Sequence, residues 1–108
     1  MSCKIFSVPT FTRQLKRLAK KYPSLKNEFS NLLRELESNP FCGKPLGKNC
    51  FKIRISIASK GKGKSGGARV ITYVQIKETT IYLLTIYDKA EQPDVTDKEL
   101  ATILEQIS

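Results

Sequence analysis

A run of cationic side chains between Phe51 and Arg69 is the part of this sequence best suited to chemistry on an anion. The run has no acidic residue, and its cations are Lys52, Arg54, Lys60, Lys62, Lys64 and Arg69. Apolar and polar residues alternate in its first half, and side chains on a strand point to opposite faces with period two. A strand here would bury one face in the core and present Lys52 and Arg54 on the other. Because the chain has no histidine, a polyanion on this face would be handled without imidazole.

The charge of the whole chain supports this interpretation. The formal net charge is +9, with 19 lysines and arginines against 10 acidic residues. The excess lies in residues 1–27 and 44–77, which contain no acidic residue, whereas residues 78–108 are acidic overall. A basic body on a small domain indicates nucleic acid or another polyanion as a partner, and solubility alone is the alternative explanation.

Composition limits the class of protein further. A chain of 108 residues that is 40% hydrophobic and 27% charged is typical of one globular domain, which we expect to span residues 1–108. Three cysteines without a signal-peptide pattern favour the reducing cytoplasm, and no histidine is present to complete a metal site with them. No apolar run approaches the roughly 18 residues of a membrane span. We therefore expect no metal, no small-molecule cofactor and no membrane partner.

One motif inside the cationic run is similar to a nucleotide-binding loop. Residues 58–65 fit the loose pattern of a small residue, four variable residues and then G-K-S. Such a loop works by placing backbone N–H groups at the start of a helix. Here Gly66 and Gly67 are followed by a β-branched run, so the next element is predicted to be a strand. Nucleotide hydrolysis is disfavoured, and the lysines stay as candidate phosphate contacts or as part of an ordinary hairpin loop.

Two amphipathic helices are predicted in the first half of the chain. The apolar residues between positions 11 and 22, and again between 25 and 36, recur at helical spacing. Thr10 and Ser24 precede these stripes and are the expected N-caps. About two residues join the helices, so they should form an antiparallel hairpin that buries both stripes against another layer.

Strands are predicted before and after the helix hairpin. The expected strands are residues 3–8, 51–58, 68–76 and 80–87. Glycines and a proline indicate a loop over residues 41–50, and Thr96 with Glu99 forms a capping box that opens a last helix. The predicted fold class is therefore α+β: a small, mainly antiparallel sheet of about four strands, with the helix hairpin on one face and a C-terminal helix. The last strand is nearly all apolar, which indicates a central place in the sheet.

Three motifs, taken in their order and spacing, indicate a family. They are L-x-S-N-P with a downstream P-L-G (Leu36 to Gly47), K-I-R followed by S-K-G-K-G-K-S-G-G-A-R (Lys52 to Arg69), and L-L-T-I-Y-D-K-A-E (Leu83 to Glu91). With them the chain resembles the RelE/ParE superfamily of toxins from type II toxin–antitoxin modules, most closely the RelE- and HigB-like branch. The resemblance implies the same fold, cleavage of mRNA in the ribosomal A site without a metal, and a cognate antitoxin protein that masks the site.

The resemblance also implies roles for individual residues. In that family a ribose 2′-OH attacks the adjacent phosphate, which requires a base, cations on the phosphorane and an acid. Lys52 is the implied base, Arg54 and Arg69 are the phosphate ligands, Tyr87 stacks on an RNA base and Lys89 is the acid. The expected contacts to the RNA backbone lie on the glycine-rich loop and the basic side of the first helix: Lys60, Lys62, Lys64, Arg13, Lys16 and Lys20. A lysine can serve as the base if crowding of like charges lowers its pKa.

The sequence departs from the family pattern at two positions. Ala90 and Thr96 stand where the prototype of the family has an arginine and a tyrosine, and the histidines of the HigB and YoeB relatives are missing. Two alternatives to the nuclease therefore stay open. One is a ParE-like toxin that poisons DNA gyrase, and the other is a basic RNA-binding protein of the same fold without activity. The Lys52, Arg54 and Arg69 set favours the nuclease.

Overall fold

The computed structural model describes residues 3–60 and 66–107, which form one sheet with helices packed against it. In chain order the elements are β1 (Lys4–Ser7), α1 (Pro9–Lys21), α2 (Leu25–Ser38), β2 (Lys44–Gly47), β3 (Cys50–Ile55), β4 (Ala68–Gln75), β5 (Thr80–Asp88) and α3 (Asp97–Leu104). Short 3₁₀ turns occupy Ala58–Lys60 and Ile76–Glu78. The loop lysines Lys62 and Lys64 lie outside the described residues.

The five strands are arranged in the order β1-β5-β4-β3-β2. β1 pairs parallel with β5, and the other three pairs are antiparallel. This confirms the predicted α+β class, with five strands instead of about four. The additional strand is β2, which lies in the segment predicted as loop. Its side chains are all exposed and it contains a proline, so it carries neither the alternation nor the β-branched residues typical of a strand.

The helix hairpin packs on the face of the sheet that carries the isoleucines of β3. Its buried residues are Phe11, Leu18, Leu25, Leu32 and Leu36, which confirms both predicted stripes. They belong to the same apolar core as Ile53 and Ile55. This packing leaves Lys52 and Arg54 on the opposite side of β3, as the alternation predicts.

The start of α1 differs from the predicted N-cap, whereas α2 has the predicted residue at its N-cap position. α1 begins at Pro9 with Val8 at the N-cap, so Thr10 is already inside the helix. Proline suits the first turn, where its missing N–H leaves no bond unmade. Ser24 stands at the N-cap position of α2, but its hydroxyl does not cap the helix. It donates to Glu28 at 3.1 Å and accepts from the Ser59 amide at 3.0 Å.

β5 and α3 complete the core. Eight of the nine residues of β5 are buried, and the strand has a neighbour on each side, which confirms its predicted interior place in the sheet. The capping box of Thr96 and Glu99 at the start of α3 is also confirmed. The apolar side of α3 packs into the common core through the buried Ile103.

Candidate functional site

A groove of about 390 Å³ lies where the edge of β3 is open. β2 pairs with β3 only as far as Lys52, so the next residues of β3 have no strand partner on that side among the described residues. The described lining residues are Glu35, Gly43, Lys44, Lys52, Ile53, Arg54, Arg69 and Lys89. The structure therefore brings four of the five predicted catalytic residues to one groove, with one carboxylate among five cations.

The strand register explains how the arginines meet. Arg54 on β3 lies opposite Arg69 on β4, and Arg69 lies opposite Tyr87 on β5. Directly opposite residues project from the same face of a sheet, and like charges in such a pair repel each other. Arg69 is only 4% exposed, and its Nη1 donates to the carbonyl of Ala68 at 3.2 Å. The register therefore places the two arginines side by side on one face of the sheet, where both line the groove.

Lys89 reaches the same groove because a glycine lets two strand ends approach. The amide of Lys89 donates to the carbonyl of Gly67 at 3.0 Å. A Cβ on Gly67 would lie 2.0 Å from the carbonyl oxygen of Ile55, so only glycine fits between these strands. The Lys89 side chain is exposed at the end of β5. Its ammonium is therefore available to a bound anion.

Asp94 holds two of the predicted catalytic residues. Its Oδ1 accepts from the Tyr87 hydroxyl at 3.2 Å, from Lys52 Nζ at 3.4 Å and from the Val95 amide at 2.8 Å. The bond from Val95 lowers the pKa of Asp94 most, ahead of the charge of Lys52. Burial, followed by the charge of Asp94, raises the pKa of Tyr87 to about 12. Tyr87 is thus a protonated donor, and because the residue is only 4% exposed its ring is not available for the expected stacking on an RNA base.

Lys60 differs from its predicted role as a surface contact. The 3₁₀ turn at Ala58–Lys60 folds it inward, and its side chain is only 7% exposed. Its Nζ donates to Asp88 at 2.5 Å and lies 5.4 Å from the centre of the Tyr22 ring. Lys60 is therefore a structural link between the hairpin loop and the end of β5, and it is not presented to RNA.

Asp88, the partner of Lys60, is a fully buried carboxylate. It also accepts from the Tyr22 hydroxyl at 2.7 Å and from the Ala90 amide at 2.9 Å. Burial by itself raises the pKa of Asp88, but these bonds, first of all the one from Lys60, outweigh it and lower the pKa to about 2. The carboxylate is consequently ionised at every pH at which the protein would work.

A second cationic surface lies along α1. The described residues around a shallow depression of about 580 Å³ are Arg13, Lys16, Arg17, Lys20 and Lys21. Arg17 and Lys21 bind Glu91 at 2.8 and 3.2 Å, and hydrogen bonds from these two residues lower the pKa of Glu91. The three predicted RNA contacts of this helix are exposed and form no ion pair within the described part of the chain. They remain free to meet a polyanion.

Three residues of the site were missed from the sequence. Glu35 lies on the polar side of α2, where nothing in the helical pattern reveals what it faces. Lys44 belongs to β2, the strand that has no pattern of its own. Asp94 lies in an irregular segment whose path is set only by the tertiary structure. Within residues 3–60 and 66–107, no group of three or more histidine, cysteine or acidic side chains could hold a metal ion, and no helix could span a membrane.

Known proteins share this fold. The chain is similar to the free E. coli toxin RelE carrying two arginine-to-alanine substitutions, with a TM-score of 0.63, 15% identity and full coverage of both chains. An isolated E. coli RelE matches with a TM-score of 0.62, 13% identity, and 99% and 100% coverage of the two chains. The RelBE2 toxin–antitoxin complex of Mycobacterium tuberculosis matches with a TM-score of 0.58 and 21% identity over 82% of this chain and 99% of that one.

A family comparison goes beyond the fold. The sequence model of the family described as the RelE toxin of the RelE/RelB toxin–antitoxin system matches residues 4–107, which is nearly the whole chain. The strand order, the helix hairpin and the cationic groove agree with the sequence motifs on which the resemblance to this family rests. The chain belongs to the RelE toxin family.

Proposed function

We propose that this toxin is a ribosome-dependent endoribonuclease that cuts mRNA in the A site without a metal. The observation that supports the proposal is the groove at the open edge of β3, where Lys52, Arg54, Arg69 and Lys89 converge. The cut would follow from attack of a ribose 2′-OH on the adjacent phosphate, leaving a 2′,3′-cyclic phosphate and a 5′-OH. Such a reaction depends on cations fixed in advance where negative charge develops.

The two arginines suit the phosphate. A guanidinium group binds phosphate oxygens in a fixed fork geometry and keeps its charge at all working pH values. Arg69 is held by burial and Arg54 faces it from the exposed side of the groove. In our proposal both bind the scissile phosphate and stabilise the phosphorane. The exposed ammonium of Lys89 protonates the leaving 5′-oxygen.

Lys52 has a different task in this arrangement. Its ammonium forms an ion pair with Asp94 at 3.4 Å. An ammonium held in this way contributes a fixed positive charge to the groove. We therefore propose that Lys52 attracts the RNA backbone, together with Arg13, Lys16 and Lys20 on α1. Phosphate contacts of this kind position a nucleic acid without reading its sequence.

The proposed partners are a cognate antitoxin, the ribosome and mRNA, all in the cytoplasm. The RelBE2 structure of M. tuberculosis is a toxin–antitoxin complex. A basic toxin surface with a net charge of +9 suits an antitoxin segment that carries acidic side chains. Binding of such a segment over the groove would neutralise the same cations that bind RNA.

Arg54→Gln tests the proposal with little risk to folding, since Arg54 is exposed. The wild-type protein and this variant are expressed from an inducible promoter, with Arg34→Gln as the matched control on the exposed side of α2. We expect wild type and Arg34→Gln to arrest growth and to cut translated mRNA. We expect Arg54→Gln to reduce cutting on purified, mRNA-programmed ribosomes by about 10²-fold or more.

The outcomes separate the three functions. Arrest by Arg54→Gln at wild-type strength would contradict the proposed mechanism. Arrest with DNA damage and continuing translation would favour the gyrase-poisoning alternative. If wild type neither arrests growth nor cuts ribosome-bound mRNA, the nuclease proposal is wrong, and binding of RNA by such a protein would favour the alternative without activity.

A further inference from the structure

The cationic groove contains one acidic side chain, Glu35, among its described lining residues. Glu35 precedes the buried Leu36 on α2, on the side of the helix that borders the edge of β3. It lines both this groove and an adjoining one of about 180 Å³, and Arg54 lines the same two grooves. A carboxylate thus shares two grooves with the arginine that we assign to the scissile phosphate.

The carboxylate of Glu35 has no partner within residues 3–60 and 66–107. It forms no hydrogen bond and no ion pair there, and its side chain is exposed. Asp94, the other acidic residue near these cations, differs in this respect. One oxygen of Asp94 already accepts from Tyr87, Lys52 and Val95. Of the acidic residues among the described lining of the groove and Asp94, Glu35 is the one with both oxygens available for a new proton donor.

The arginines, Lys52 and Tyr87 are hydrogen-bond donors in this site. Arg54 and Arg69 are permanently protonated guanidinium groups. The Lys52 ammonium is paired with Asp94, and the Tyr87 hydroxyl is buried and donates to Asp94. A glutamate carboxylate is ordinarily ionised at neutral pH and can take a proton without first losing one. The proposed reaction needs such an acceptor beside the phosphate.

We propose that Glu35 is the general base of the cleavage reaction, an inference that rests on the proposed function. The 2′-OH gives its proton to the Glu35 carboxylate as its oxygen forms a bond to phosphorus. The bond between phosphorus and the 5′-oxygen breaks, and that oxygen takes a proton from Lys89. The Glu35 carboxylic acid then releases its proton to solvent and the neutral Lys89 amine takes one proton from solvent, so both groups are restored and the step needs no co-reactant.

Several charged or titratable groups face Glu35 from the surrounding elements. They are Lys44 on β2, Lys52 and Arg54 on β3, Arg69 on β4, Lys89 after β5, Glu28 on α2 itself and the Cys42 thiol before β2. Burial, and to a smaller extent the negative charge of Glu35, raises the pKa of the Cys42 thiol. The thiol is therefore neutral at neutral pH and does not compete as a base.

The pH dependence of the single-turnover rate distinguishes a carboxylate base from a lysine base. We would measure cutting of mRNA on purified ribosomes between about pH 6 and pH 8.5 for wild type, Glu35→Gln and Glu35→Asp. Below its own pKa a lysine base gives a rate that rises about tenfold per pH unit, whereas a carboxylate base of ordinary pKa gives a flat profile throughout this range. Glu37→Gln is the matched control, because Glu37 lies two residues further along α2 and outside the groove.

We expect a flat profile for wild type and for Glu37→Gln. Glu35→Gln should be about 10²- to 10⁴-fold slower and should acquire a tenfold rise per pH unit, while Glu35→Asp keeps part of the rate. An unchanged rate in Glu35→Gln, or a steep wild-type profile, would overturn the assignment and leave the nuclease proposal standing. If wild type cuts no ribosome-bound mRNA, the proposed function and the base assignment fail together.

Discussion

Lys60 and Lys52 show how the same residue type takes different tasks within one cationic run. Lys60 is buried against Asp88 and the Tyr22 ring. Lys52 lies at the open groove and is held from one side by the more exposed Asp94. A buried ion pair does not by itself favour folding over an apolar pair, but removal of one partner leaves an uncompensated charge. Substitutions at the two positions should therefore affect different properties, stability at Lys60 and activity at Lys52.

The pH dependence of stability tests the buried pair. The pKa of Asp88 is lowered from its ordinary value of 3.8 to about 2 in the folded protein. Its contribution of about 2 kcal/mol is present above about pH 4 and is lost as the pH falls towards 2. Asp88→Asn should destabilise the protein by about 3 kcal/mol at pH 7, because Lys60 is left without a counter-charge.

Urea unfolding at several pH values between 2 and 7 measures this effect. The difference in unfolding free energy between wild type and Asp88→Asn should shrink as Asp88 becomes protonated in the wild-type protein. Asp97→Asn, in the exposed first turn of α3, serves as the control. If the unfolding free energies of wild type and Asp88→Asn differ by the same amount at pH 2 and pH 7, the negative charge of Asp88 is not the source of its stabilising effect.

At the scale of elements, the site depends on how closely the ends of β3, β4 and β5 approach. Gly67 lies against the carbonyl of Ile55 and accepts the amide of Lys89. The loop before β2 makes a similar approach, because a Cβ on Gly43 would lie 2.7 Å from the carbonyl of Lys52. Gly43 also has a φ of +101°, which favours glycine. Gly43 therefore lines the groove directly, and Gly67 allows the close approach that brings Lys89 to it.

Gly67→Ala is expected to be strongly destabilising. The new Cβ would lie 2.0 Å from the Ile55 oxygen, so the strands must move apart. We expect a loss of about 3 kcal/mol or more, which corresponds to a fall in Tm of at least about 10 °C. Gly47→Ala is the control, since no atom lies within 4 Å and only its φ of +89° resists the side chain, at about 1 kcal/mol. Equal melting temperatures for both variants would refute the close-approach argument.

At the scale of the whole molecule, the cations form two surfaces with different degrees of neutralisation. The groove has one carboxylate among five cations in its described lining. On α1, Glu91 pairs with Arg17 and Lys21 and leaves Arg13, Lys16 and Lys20 free of ion pairs in the described chain. The free cations should release more counterions from RNA, per residue, than the paired ones.

Salt dependence of RNA binding tests this division. We would titrate a single-stranded RNA oligonucleotide at several salt concentrations and plot log Kd against log salt. We would compare wild type with a triple variant, Arg13→Gln/Lys16→Gln/Lys20→Gln. Each phosphate of a single strand that the protein no longer neutralises lowers the slope by roughly 0.7, so the triple variant should lower it by about 2. The Arg17→Gln/Lys21→Gln variant should lower it less per residue, because Glu91 already neutralises part of that charge. A slope that neither variant changes would exclude α1 from RNA binding.

Local pattern was sufficient to predict most elements of the fold. The helical stripes, the alternating β3, the apolar β5 and the capping box of α3 were all predicted, because each is coded by neighbours in sequence. β2 was not predicted, because all its side chains are exposed and it is a strand only through its hydrogen bonds to β3. The start of α1 was misplaced by two residues, because Pro9 stabilises the first turn without a side-chain cap.

The sequence alone determined that this protein carries a cationic strand with one apolar face, and its motifs, through their resemblance to the family, predicted Lys52, Arg54, Arg69 and Lys89 as residues of the site. Only the tertiary structure decided which cations stay available, since Lys60 turns inward to Asp88 while Arg54 stays exposed. It also brought Glu35 and Asp94 to the cations from other elements. The physical reason is that charge and periodicity are local properties of a chain, whereas pairing, burial and proton transfer depend on distances between segments remote in sequence.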